Sequence, residues 1–276
     1  MTTTPPEITI HYAALTHRGK PFARNQDAIL IAGQVIQKPE ILCGTLAAGT
    51  VHPFAISDGV SGHPQPAAAA RVLLESLRDT YPASPKINPQ GRTEQIQTRL
   101  MAALDHDPRL EDAAATLVVA EASAAHIRLW HAGDSRGYRL MHGKITRLTE
   151  DHTTLSILCS EGSIDDDKSE SFAETLFAAA LDNIFVYSHF AEPPTVSVTT
   201  LQLKPGESLV LVSDGVTAVL SDKQMAECLH GNALSLGIEN IHRAVMDRGA
   251  PDDFSVIILQ NRPCASTHPD APIDLQ

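Results

Sequence analysis

The residues with the clearest chemical content are two aspartates in one repeated setting. Ser57-Asp58-Gly59-Val60 returns as Ser213-Asp214-Gly215-Val216, each copy directly after a short apolar run, Phe54-Ala55-Ile56 and Leu209-Val210-Leu211-Val212. Short, bounded runs of this kind read as fully buried strands, so each Asp leaves a rigid strand end. Asp-Gly is also the commonest tight-hairpin signal, and either copy alone reads more readily that way. The repeat and its neighbours favour chemistry. Asp27, Asp134 and Asp252 likewise fall at predicted strand ends or in a strand-joining turn. Carboxylates gathered from such ends repel one another unless cations compensate, which points to hard divalent metals. Oxygen ligands without a Cys or His partner select Mg²⁺ or Mn²⁺ over zinc. The Gly after Asp58 and after Asp214 leaves its backbone carbonyl free to approach an ion.

The elements that must position these residues follow from periodicity. Ile8, Ile10 and Tyr12 alternate with polar residues as in a half-buried strand, and Asp27 opens a second strand through Ile31. The basic, Gly- and Pro-containing stretch 18–26 between them is a loop. Residues 33–50 show no period and read as an irregular excursion. Ala67 to Leu77 is a strong helix by composition, and Ile96, Leu100, Met101 and Leu104 mark the apolar face of a second. Three strand-like runs, 116–120, 126–130 and 137–141, form an antiparallel meander. Asp151-His152-Thr153-Thr154 caps a helix through Cys159, and residues 164–171 read as a mobile loop. Alternation from Val196 slips phase at Leu201 and Leu203, which suggests a bulge. Ser221 with Gln224 is a capping box, Ile238, Ile241 and Val245 mark a last helix, and 255–259 is a buried strand.

Blocks of strands and helices segregated in this way predict an α+β fold: a central antiparallel β-sandwich flanked by helix pairs. Residues 1–260 read as one domain, and 261–276, rich in Pro, Ser, Thr and Asp, as a disordered tail.

Composition narrows the partners. With a net charge of −12 over 276 residues, the chain lacks the clustered Lys and Arg that nucleic acid or an anionic membrane requires. No apolar stretch is long enough to span a bilayer and no secretory signal is readable, which predicts a cytoplasmic protein. The four cysteines are scattered without metal-site spacing and read as reduced and mostly buried. Among thirteen histidines there is no HExxH or His-x-His pair, and the absence of GxxxxGK and GxGxxG argues against a kinase.

Taken in order, Asn25-Gln26-Asp27, Asp58-Gly59-Val60-Ser61-Gly62-His63, Thr116-Leu117-Val118, Gly133-Asp134-Ser135-Arg136-Gly137-Tyr138, Asp151-His152-Thr153, Ser213-Asp214-Gly215 and Asp252-Asp253-Phe254-Ser255-Val256 form a series. This series resembles the metal-dependent protein phosphatase family, the type 2C Ser/Thr phosphatases, in its compact bacterial form. The resemblance runs from about Thr16 to Leu259. It implies two Mn²⁺ or Mg²⁺ ions in a cleft at one end of the sandwich. Asp58 and the carbonyl of Gly59 would be ligands, with Asp58 bridging both ions, and Asp214 and Asp252 would hold the second. Asp134 matches a residue that some bacterial relatives use for a weaker third metal, and Asp27 one that orients metal-bound water. The implied reaction is hydrolysis of phosphoserine or phosphothreonine by a metal-activated water, with a phosphoprotein as substrate and a Ser/Thr kinase as antagonist.

The chain departs from the family pattern at several points. Phe22 stands where the family places an Arg that grips phosphate, leaving Arg24 or Arg18 to substitute. Gln26 stands where Glu is common, still able to accept a hydrogen bond from metal-bound water. Val60 replaces a His proposed as general acid in eukaryotic members, so the leaving-group proton comes from water or His63. The segment matching the variable flap, 161–183, carries Asp165-Asp166-Asp167 in place of basic residues. Phe22 and Gln26 define the alternative, a pseudophosphatase that keeps the fold and metals as a binding module. A third reading is hydrolysis of a small phosphorylated metabolite.

Overall fold

Runs of β-branched and large apolar residues assemble two six-stranded antiparallel sheets. The computed structural model describes residues 9–47, 51–83, 87–123, 126–154, 156, 158 and 180–262. The first sheet is ordered β10 (Lys144–Arg147), β9 (Arg136–Met141), β13 (Ser208–Val212), β14 (Phe254–Arg262), β1 (Thr9–His17), β4 (Glu40–Ala47). The second is ordered β12 (Ser197–Leu201), β8 (Ile127–Ala132), β7 (Leu117–Ala122), β5 (His52–Asp58), β2 (Asp27–Ile31), β3 (Gln34–Ile36). A short pair, β6 (Ala114–Ala115) with β11 (Phe185–Val186), sits beside the end of β5, where Gly59 bridges to Ala115.

Side-chain alternation sorts the strands into three apolar layers. Between the sheets lie Ile29, Ile56, Val118, Leu211 and Ile257. The next residue along, Val119, turns outward to Leu73, Leu77 and Leu100 of α1 (Pro66–Ala83) and α2 (Pro89–His106). On the opposite face, Val256 and Ile258 meet Met225, Ile241 and Val245 of α4 (Asp222–Leu229) and α5 (Leu234–Asp247). The expected α+β sandwich with flanking helix pairs is therefore the observed architecture. Two of its helices begin on a capping side chain. Asn88 Oδ1 accepts from Gly91 N at 2.7 Å ahead of Pro89, and Ser221 and Gln224 form the reciprocal capping box.

Four expectations are corrected. The runs 116–120, 126–130 and 137–141 do not form one meander: β7 pairs with β8, whereas β9 lies in the other sheet between β10 and β13. Residues 33–50 are not an irregular excursion, because β3 and the eight-residue β4 lie within them. Both are edge strands, half-exposed on both faces, so neither carries strict alternation; Gly44 in β4 is covered by the Tyr12 ring of the paired strand, which stands 2.4 Å from where a Cβ would be. β12 pairs residue for residue with β8 and ends at Leu201, with no bulge. Cys43 is exposed on β4 instead of buried. The end of the Asp151 helix, the 164–171 loop and most of the expected tail lie outside the described residues; β14 continues past Gln260 to Arg262. No helix of the described residues is long and apolar enough to cross a membrane.

Candidate active site

The register of β2 against β5 sets Asp27 directly opposite Asp58. Two like charges facing each other across an antiparallel pair destabilise it unless something compensates. Asp27 is completely buried and receives two hydroxyls on one oxygen: Ser213 Oγ and Ser255 Oγ each donate to Oδ2 at 2.7 Å. Asn25 orders the approach, its Oδ1 accepting from Asp27 N and its Nδ2 donating to Thr16 Oγ1, which lies 2.9 Å from Ser255 Oγ. The other oxygen, Oδ1, has no protein partner.

Asp214 leaves β13 and opens α3 (Asp214–Thr217), so the second copy of the repeat is a helix start and not a hairpin. Its N-cap, Ser213, makes no capping bond because its hydroxyl is committed to Asp27 and to the Ser255 amide. The charge of Asp214 reaches all four other carboxylates of the predicted set. Loss of solvation, reinforced by Asp27 and Asp214, pushes the carboxyl of Asp58 well above the usual range. Burial raises Asp27 to about 7, opposed by its two serines and reinforced by Asp214 and Asp253. Burial and then Asp214 raise Asp134 to about 7, and the same two causes raise Asp252 to about 6. Asp214 Oδ1 is buried without a partner.

The glycines of the repeat have a packing reason. A Cβ on Gly59 would stand 2.0 Å from the Pro66 carbonyl oxygen, and one on Gly215 would stand 2.0 Å from that of Asp253. Thr116 ties the first Asp to the third turn: its Oγ1 accepts from Asp58 N at 3.2 Å and lies 2.9 Å from Ser135 Oγ. The turn carrying Asp134 is held from behind. Gly133 N donates to His152 Nδ1, His152 N donates to Gly133 O, and Arg136 forms a forked pair with Asp151. His152 stacks on His131 at 4.5 Å between centroids.

Other predicted residues stand at the margin. Arg24 is exposed on the 18–26 loop, whereas Arg18 turns back to the carbonyl of Phe22. Gln26 Oε1 accepts from Ser61 Oγ at 2.9 Å, which engages it with the first repeat instead of with the carboxylates. His63 Nδ1 bonds the carbonyl of Asp112 at 2.8 Å. The supporting hydroxyls, Thr116, Ser135, Ser213 and Ser255, were invisible as a network in the sequence; the one signal was the Ser preceding each repeated Asp.

Among the described residues, no three His, Cys, Asp or Glu side chains stand in closed metal-ligand geometry. The donor set nevertheless fits a hard cation. It is all oxygen, its members hold one another toward protonation, and the free oxygens of Asp27 and Asp214 are buried without a donor.

No protein-family model matches the chain. In sequence it is 25% identical over 256 residues, 91% of its length, to the serine/threonine protein phosphatase PstP of Mycobacterium tuberculosis, of which it spans 45%. It is 21% identical to the serine/threonine phosphatase stp of Listeria innocua over 74% of this chain and 82% of that one. In structure, the crystallised Mycobacterium tuberculosis PstP superposes with a TM-score of 0.72 at 23% identity, covering 92% of this chain and 99% of the other. The fold is that of the bacterial type 2C phosphatases. The resemblance read from the ordered motifs thus extends to the whole type 2C sandwich, with Asp27, Asp58, Asp134, Asp214 and Asp252 grouped at one end of it. The chain spans less than half the length of the Mycobacterium tuberculosis protein it matches.

Proposed function

We propose that the chain is a metal-dependent protein phosphatase that hydrolyses phosphoserine and phosphothreonine with an activated water. The observation that carries this reading is the convergence of four carboxylates on Asp214, with Asp27 Oδ1 and Asp214 Oδ1 left without protein partners. Asp58, the Gly59 carbonyl, Asp214 and Asp252 would hold two Mn²⁺ or Mg²⁺ ions, and Asp134 with Asp214 a weaker third. Bound there, such ions would neutralise the carboxylates and supply the Lewis acidity that lowers the pKa of water towards ~7.

The remaining tasks fall to the chain. Asp27, its Oδ2 fixed by two serines, offers Oδ1 to orient the attacking water. Arg24 lies exposed on a loop that ends at Asp27 and supplies the cation for substrate phosphate. The departing seryl or threonyl oxygen takes its proton from His63, whose Nδ1 is already committed to Asp112, or from solvent. The relatives support the assignment: those named above are called serine/threonine phosphatases, and a second PstP structure, TM-score 0.68, is described as a complex with two manganese ions. A phosphoprotein substrate, an opposing Ser/Thr kinase and a cytoplasmic site of action belong to the same proposal. No structural observation favours the pseudophosphatase alternative.

The test is phosphate release from phosphoserine and phosphothreonine peptides in Mn²⁺, abolished by chelator and by Asp58→Asn. Turnover of phosphosugars in preference to phosphopeptides would replace this reading with a metabolite phosphatase.

A further inference from the structure

Asp253, next to the predicted ligand Asp252, does different work. It is buried, 1% exposed, and its two oxygens receive the two ends of one loop: Gly19 N donates to Oδ1 at 2.6 Å and Gln26 N to Oδ2 at 2.7 Å. Neighbouring bonds complete both joints. Lys20 N donates to the Ala250 carbonyl at 3.0 Å, and Gly59 N to the Gln26 carbonyl at 3.2 Å. The first joint has no slack, since a Cβ on Gly19 would stand 2.4 Å from the carbonyl carbon of Asp252.

The loop so held carries two cations, Lys20 and Arg24, and a third, Arg18, directly precedes it. Arg18 is turned inward onto the Phe22 carbonyl, and Lys20 Nζ reaches the Met246 carbonyl at 3.5 Å. Arg24 is exposed and makes no such bond among the described residues. Each of the two backbone donors takes its own oxygen of Asp253. A carboxylate offers both acceptors, whereas a carboxamide would turn its NH₂ toward one of the amides.

We propose that Asp253 is a positioning residue that clamps both ends of the 19–26 loop, and thereby sets Arg24 to grip substrate phosphate in place of the arginine absent at position 22. The proposal rests on the phosphatase reading and deepens it. Asp253 touches neither substrate nor metal; it acts through the loop.

Four proteins test it: the full chain, Asp253→Asn, Arg24→Ala and the double variant, each with Mn²⁺ and titrated with inorganic phosphate by calorimetry. Phosphate affinity falls about tenfold in each single variant, the scale of one charge-assisted hydrogen bond. The double variant is no weaker than Arg24→Ala, because Asp253 has nothing left to position. In phosphopeptide turnover the same variants raise KM with kcat changed less than about twofold, the pattern of lost substrate binding. Hydrogen exchange reads the clamp without turnover: the amides of Gly19 and Gln26 lose protection in Asp253→Asn while the strands keep theirs. Unchanged protection, or losses of phosphate affinity that multiply in the double variant, overturn the proposal. So does a fall in Mn²⁺ affinity with phosphate binding intact. If the unmodified chain binds phosphate but releases none from any phosphopeptide, the phosphatase reading fails, while the calorimetric and exchange results still judge the clamp.

Discussion

Ser213 Oγ donates to Asp27 Oδ2 at 2.7 Å, joining the end of β13 in one sheet to the start of β2 in the other. The bond accounts for an N-cap serine that does not cap, and for a fully buried carboxylate with one oxygen satisfied and one free. Ser213→Ala removes one of two hydroxyl donors from a buried group, which costs about 1–3 kcal/mol. Denaturant unfolding measures that cost. Mn²⁺-dependent turnover falls with it, since the orientation of Asp27 loosens. A variant with native stability and native turnover contradicts the role assigned to this pair.

The carboxylates make stability depend on pH and on metal in a defined direction. Asp27 and Asp134 at about 7, and Asp252 at about 6, lie above their unfolded values near 3.8, so the folded chain binds more protons between those limits. Their stabilising contribution is complete below pH ~4 and is lost as pH rises through 6 and 7. His131 works the other way: burial lowers it to about 4, so its contribution is present above pH ~6.5 and is lost as pH falls. In chelator, Asp134→Asn removes one repelling charge and is more stable than the unmodified chain at pH 8, by roughly 2–4 °C in Tm, but not at pH 4.5. Thermal melts at both pH values check the sign. Added Mn²⁺ reverses the order at pH 8, because the unmodified chain then gains more from the ions.

A second buried charge cluster is structural. Glu121, 1% exposed, accepts from Tyr81 Oη at 2.8 Å and pairs with the buried Arg92 at 3.2 Å and with Arg128. Glu121→Ala removes the carboxylate that pairs with Arg92 in the layer between α1, α2 and β7, which costs about 3–5 kcal/mol. Arg71→Ala, which breaks an exposed pair with Glu75, costs less than about 0.5 kcal/mol. Equal losses in the two variants, measured by urea unfolding, would show that the buried cluster is not under this constraint.

The repeated glycines give a steric prediction. Gly59→Ala and Gly215→Ala each place a methyl 2.0 Å from a carbonyl oxygen, so the backbone must move, at a cost of roughly 1–3 kcal/mol. Both variants also weaken Mn²⁺ binding, because each shift displaces an adjacent Asp. Calorimetry showing native metal affinity in both would detach these glycines from the site.

The carboxylates were legible in the sequence because an Asp at the end of an apolar run is a local signal, and its repetition is hard to attribute to turns alone. The sandwich was legible for the same reason, since Val118-Val119 and Val256-Ile257-Ile258 carry their burial in their types. β4 was not, because an edge strand with Gly44 under a tyrosine ring has no alternation to read. The hydroxyl cradle of Asp27 and the clamp at Asp253 were also hidden. Thr16, Ser213 and Ser255 are ordinary residues one at a time, and only the register of β1, β13 and β14 brings them together.

The central claim is that these aspartates form a metal centre, and a calorimetric titration of the chain with Mn²⁺ tests it most directly. The unmodified protein binds at least two ions, and Asp58→Asn and Asp214→Asn each lose binding without losing the fold. Absence of Mn²⁺ and Mg²⁺ binding at neutral pH, in a folded protein, contradicts the account.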